Sequence, residues 1–152
     1  MDGLQPTLVY LIGRLDQGVR RQLRQLLAPH GLSVPELTVL SVLQRRPGLS
    51  NAQLARRALI TPQSMNDVVA GLESRGLVKR TVDPSHGRIL LTRLTPAGHG
   101  MLRRVTPSIN ALQAQLLEDI PAAERDVVVR GLISVMQRLR EGNQATRPGS
   151  RS

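Results

Sequence analysis

The 152 residues include no cysteine, which excludes disulfides, thiolate metal sites and thiol redox sensing. Tryptophan and phenylalanine are missing too, and Tyr10 is the one aromatic side chain. A core built without aromatic rings must rely on Leu, Val, Ile, Met and Ala. That favours helices over β-sandwiches and barrels, which lean on aromatic packing. No stretch approaches the roughly 18 consecutive apolar residues of a membrane span, and Arg14 and Asp16 interrupt the N-terminal apolar stretch too early for a signal peptide. The expectation is a soluble, cytoplasmic chain with no membrane partner. His30, His86 and His99 are scattered with no i,i+4 pairing, so no metal site is expected. There is no glycine-rich phosphate loop, nucleophile elbow or paired carboxylate site. Asp119, Glu124 and Asp126 read as charges at a helix start. The chain is therefore expected to be no enzyme and to need no cofactor.

What the sequence does hold is positive charge. Formal net charge is +10. Lys79 is the single lysine against twenty arginines, and arginine suits bidentate bonds to phosphate and guanine edges. A GC-rich coding bias accounts equally well for that ratio, but not for where the charge sits. Residues 45–104 carry eleven basic and three acidic side chains, whereas 1–44 carry four and three and 105–152 carry six and five. A basic centre between near-neutral flanks points to a polyanion-binding module held by a scaffold. The length, with 40% hydrophobic residues, suffices for one domain with its own core, or for a smaller core and a dimer interface.

Apolar periodicity and end signals divide the chain. Leu4, Leu8, Leu11, Ile12, Leu15, Val19, Leu23, Leu26 and Leu27 form one stripe, predicting a helix over 4–28 that stops at Pro29 and Gly31. Ser33 and Glu36 make a capping box for a helix over 34–46, and Ser50 with Gln53 makes another for 51–58. Thr61-Pro62 opens a helix over 62–75 that buries Met65, Val68, Val69 and Leu72 and ends at Gly76. Strands are expected at 77–82 and 88–94 around the turn Asp83-Pro84-Ser85-His86-Gly87. Thr95-Pro96 starts a long helix in which Pro107 is expected to cause a kink or break, and Pro121 starts the last helix. Residues 142–152 read as a disordered tail. The fold class is mostly α with a small β-hairpin, in the order α-α-α-α-β-β-α-α.

The two short capped helices and the hairpin form one constellation over 50–94. In a helix-turn-helix the second helix enters the major groove. Here its outward face is Gln63, Asn66, Asp67, Ala70 and Ser74, with Ser64 near its start: short polar side chains able to reach base edges. A solvated amphipathic helix would look similar, but the basic hairpin that follows favours DNA. That hairpin carries Lys79, Arg80, Arg88 and Arg93, and a projecting ribbon can lay an arginine in the adjacent minor groove. The residues assigned to DNA are Ser50, Thr61, Pro62, Gln63, Ser64, Asn66, Asp67, Arg80 and Arg88. The first three sit at helix N-termini, which favour phosphate.

The run I-T-P-Q-S-M-N-D-V-V-A-G-L-E-S-R-G-L-V-K-R from Ile60 to Arg80 resembles the recognition helix and wing entrance of MarR-family regulators. Asp83-Pro-Ser-His-Gly-Arg88 and Leu91-Thr-Arg-Leu-Thr-Pro-Ala-Gly98 resemble the family's wing and the start of its next helix. The likeness covers residues 4–140. Asp67 stands where the family often has Arg, and His86 and Gly87 replace an acidic residue and an Arg of the wing turn. The resemblance implies a winged helix-turn-helix over 33–95 and dimerisation helices over 1–32 and 96–141. It implies a homodimer on a pseudo-palindromic double-stranded DNA operator. It also implies repression released by a small anionic or phenolic effector, bound in a cleft between the dimerisation helices and the winged module, for which Tyr10 is the candidate contact. The reading from a different class is an architectural protein that coats DNA by charge alone.

Overall fold

The computed structural model describes residues 5–145. The chain falls into two compact units, residues 1–109 and 110–152. Helix α1 (Leu8–Leu27) begins four residues later than the apolar stripe predicts. Thr7, in extended backbone, accepts the Tyr10 N–H at 3.3 Å and sets the start, while Leu4 lies outside the described residues. Its end is as expected: a short 3-10 turn (Ala28–His30) leads to Gly31 in the left-handed region, φ 62°. Leu27 is fully buried and Leu23 and Leu26 pack on the core, but Leu8, Leu11 and Leu15 are exposed.

Helix α2 (Val34–Arg45) carries the reciprocal cap between Ser33 and Glu36. A two-residue strand β1 (Leu49–Ser50) follows, which the periodicity did not reveal. Helices α3 (Asn51–Ala58) and α4 (Pro62–Ser74) start at their expected caps. Gly76 (φ 69°) ends α4, and the Leu77 N–H reaches back to the Leu72 carbonyl. Strands β2 (Val78–Asp83) and β3 (His86–Leu94) form the hairpin, and β1 joins it in an antiparallel sheet ordered β1-β3-β2. The turn is tighter than the five residues expected. Asp83 already pairs with His86, because the Asp83 carboxylate accepts the Ser85 N–H at 2.9 Å and closes a two-residue turn. Leu40, Leu43, Leu54, Met65, Val69, Leu72, Val78, Leu102 and Val105 fill the core without an aromatic ring, as the composition demands, with Thr92 of β3 buried beside them.

Helix α5 (Pro96–Leu116) runs unbroken through Pro107. Helix α6 (Ala122–Ala145) does not stop at Gly142, so the expected tail begins too early. One helical glycine costs only about 1 kcal/mol, too little to end the helix at Gly142. Residues 146–152 lie outside the described residues. No single described helix is long and apolar enough to cross a membrane.

Candidate nucleic-acid interface

The turn between α3 and α4 is only three residues long, and its geometry comes from Leu59. This residue adopts the left-handed conformation (φ 55°), so that the Ile60 N–H bonds the Ala55 carbonyl. Asn51, the first residue of α3, donates its side-chain amide to the Pro62 carbonyl at 3.0 Å, tying the start of one helix to the start of the other. Met65, Val69 and Leu72 lock α4 onto the core. The opposite face, with Pro62, Gln63, Ser64, Asn66, Asp67, Ala70 and Ser74, is exposed throughout. No protein group engages the Gln63 or Asn66 amides among the described residues, so both are available to an outside partner.

The hydroxyls at the helix starts have internal work. Ser50 accepts the Gln53 N–H at 3.2 Å while Gln53 returns a bond to the Ser50 N–H. Thr61 accepts the Ser64 N–H at 3.1 Å and donates to the Ser64 hydroxyl at 3.0 Å. These residues fix the N-terminus of each helix, and in the first turn of α4, where Pro62 has no N–H and Thr61 accepts from Ser64 and Met65, the Gln63 N–H is left at the positive end of the helix dipole.

In the hairpin, Arg88 is exposed beside the turn. Lys79 and Arg93 lie directly opposite each other on β2 and β3, both exposed. Like charges facing across a ladder repel, and a polyanion laid over them removes the penalty. Arg80 differs. Its Nε donates to Glu73 at 2.8 Å, its Nη2 bonds the same oxygen, and its backbone N–H meets the other carboxylate oxygen at 3.3 Å. This pair bolts the base of the wing to the last turn of α4. The Arg80 hydrogen bond holds the Glu73 carboxyl below its ordinary value, against the opposing effect of desolvation. Sequence reasoning placed Arg80 beside the DNA but missed its partner, because two opposite charges seven residues apart do not by themselves say that one side chain folds back onto the other. Tyr10 lies on the exposed face of α1 beside Leu11, 58% exposed.

Comparisons with known proteins place this geometry. Residues 30–89 match the model of the MarR family. The HTH-type transcriptional repressor Rv2887 of Mycobacterium tuberculosis is 38% identical over 116 residues, which cover 76% of this chain and 84% of that one. The crystal structure of Rv2887, a MarR family protein, in complex with salicylic acid superposes with a TM-score of 0.70 at 36% identity, covering 87% of this chain and 98% of that one. Its structure in complex with DNA gives 0.70 at 33% identity, over 86% and 98%. A MarR family transcriptional regulator from Silicibacter pomeroyi gives 0.79 at 26% identity, over 98% and 96%. A polar helix face beside a basic wing, on a chain with these relatives, makes this protein a member of the MarR family of transcriptional regulators.

Proposed function

We propose that the protein represses transcription as a homodimer on a pseudo-palindromic DNA site and is released by a small phenolic acid. The exposed polar face of α4, flanked by the basic wing, is the observation that carries this reading. In it, Gln63, Asn66 and Asp67 meet base edges in the major groove, and Arg88 enters the neighbouring minor groove. Ser50, Thr61, Pro62 and Ser64 present helix N-termini to phosphates. Arg80, whose charge is shared with Glu73, contributes less to phosphate than Arg88 does. Two-fold symmetry places the half-site centres about one helical turn, roughly 10 bp, apart. The effector class rests on the relative solved with salicylic acid, and Tyr10 is its proposed aromatic contact. The same reading makes this a cytoplasmic binding protein and not an enzyme.

Selection of bound fragments from random duplex DNA tests the reading and returns the operator. A recurrent inverted repeat is expected, whereas uniform recovery of all sequences would mark a protein that coats DNA by charge. Salicylic acid added to the operator complex is expected to free the DNA, and Tyr10→Ala to blunt that release.

A further inference from the structure

Arg75 stands at the C-terminal end of the helix that faces DNA, where an arginine is ordinarily read as a phosphate contact. Its guanidinium is instead spent inside the protein. Nη1 donates to the Gly31 carbonyl at 2.7 Å and Nη2 to the His30 carbonyl at 3.3 Å. Nη1 also lies 3.6 Å from Glu36, whose own side chain is only 16% exposed. Glu36 is held in turn: one oxygen accepts the Ser33 N–H at 2.8 Å, and the other lies against α4, within van der Waals reach of a methyl placed on Gly71. One cation therefore holds the two carbonyls at the end of the 3-10 turn that follows α1, pairs with the capping box of α2, and anchors the C-terminal end of α4. These bonds bridge residues 44 and 45 positions apart in sequence.

We infer that Arg75 is a positioning residue that fixes the tilt of α4 against the end of α1, and so sets the half-site spacing that a dimer accepts. Helix α4, at 13 residues, is about 20 Å long. Near its start it is tied to α3 by Asn51, and at its far end to the α1–α2 joint by Arg75. With the Arg75 bonds gone, the helix keeps its apolar seat and its Glu73–Arg80 link to the wing, but loses the hydrogen bonds that join its end to the α1–α2 joint. The inference rests on the dimer reading above, in which α1 belongs to the interface. In a dimer, the angle of each reading helix to its own α1 determines the separation of the two reading faces. A one-base-pair change moves a half-site by about 3.4 Å and turns it by roughly a tenth of a helical turn.

The test compares the wild-type protein with R75A and R75K on duplexes carrying the selected half-sites at their selected spacing, one base pair closer and one farther, and on random duplex at several salt concentrations. Wild type is expected to prefer the selected spacing by at least about tenfold. R75A is expected to shrink that preference to about threefold or less, with the salt slope on random duplex unchanged, since no phosphate contact is lost. R75K keeps a donor for one carbonyl and recovers part of the preference. If R75A does not fold, R75Q, which retains a donor without the fork, is read in the same way. A salt slope lower by about one overturns the inference, because Arg75 then touches phosphate. So does a variant that keeps the full spacing preference. A wild-type protein indifferent to spacing overturns the dimer reading and takes this inference with it.

Discussion

Gly98 packs at the junction of α5 with the sheet, where the Leu77 carbonyl accepts the Thr95 N–H at 3.2 Å and faces the Gly98 Cα. A methyl added at Gly98 would collide with that carbonyl oxygen, a backbone atom that cannot swing aside. Gly98→Ala is therefore expected to destabilise the protein by roughly 3 kcal/mol, at the upper end of overpacking costs, read as a lower urea midpoint. The glycine itself was visible in the sequence, as the last residue of the L-T-R-L-T-P-A-G run; its steric reason was not. The capping boxes were legible because each is local, Ser33 with Glu36 and Ser50 with Gln53 satisfying each other three residues apart, whereas the lone cap Thr7 of α1 was missed. The Glu73–Arg80 pair was not legible, since a residue type does not say where its side chain folds back. That pair also carries a pH signature. The Glu73 carboxyl titrates lower in the folded chain than in the unfolded one. Its stabilisation is thus complete above the ordinary carboxylate value and is lost as pH falls through the depressed native value. The gap in Tm between wild type and Glu73→Gln is expected to be small at neutral pH, because the pair is part-exposed, and to close on acidification. A gap that stays constant down to pH 3 would mean that Glu73 acts by shape and not by charge.

At the scale of elements, α2, α3 and α4 were legible to within about a residue because each has a capping signal at its start and a breaker near its end. Strand β1 was not. Two residues show no period, and Leu49 and Ser50 become a strand only because β3 offers Thr92 and Leu91 as partners. Apolar stripes were reliable guides to helix type but poor guides to helix ends: the first stripe predicts a start at residue 4, and α1 begins at Leu8. The reading helix and the wing are separable elements, and their variants are expected to fail differently. Arg88→Ala removes a cation from the wing, so it is expected to weaken binding to every duplex and lower the salt slope by about one. Asn66→Ala removes an amide from the outward face of α4, a contact worth about 1–3 kcal/mol of base discrimination. It is expected to cost affinity for the selected site while sparing random DNA. Asp67 faces the same way and repels phosphate, so Asp67→Ala is expected to raise affinity for random DNA and to blur the preferred sequence. Equal weakening of both duplexes by Asn66→Ala would show that α4 is not the reader.

For the molecule as a whole, the informative surface is apolar. Helix α1 exposes Leu8, Val9, Leu11 and Leu15, and α6 exposes Val127, Val129, Leu132, Ile133, Met136 and Leu139. Single exposed leucines are ordinary, but runs of them along two helices mark surfaces that another protein covers. The sequence stripes on these helices were readable as burial, yet nothing in the sequence divides a stripe between a core and a partner. The structure makes that division on α1, where Leu27 is fully buried and Leu8 is 58% exposed. A second copy as the covering partner leads to a quantitative expectation for Leu132→Glu. The new carboxylate would have to enter the apolar interface unpaired, a cost of several kcal/mol, so the variant is expected to sediment as a monomer at micromolar concentration where wild type sediments as a dimer. A monomer carries one reading helix and one wing, hence half the phosphate contacts. Its salt slope on DNA is expected to fall to about half the wild-type value, and its preference for an inverted repeat over a single half-site to vanish. The circular dichroism spectrum is expected to keep its helical signal, because Leu132 is already 45% exposed in the protomer and its loss opens no core cavity. A Leu132→Glu protein that remains dimeric would place the interface elsewhere; one that becomes monomeric but keeps the full salt slope would show that a single copy makes all the contacts.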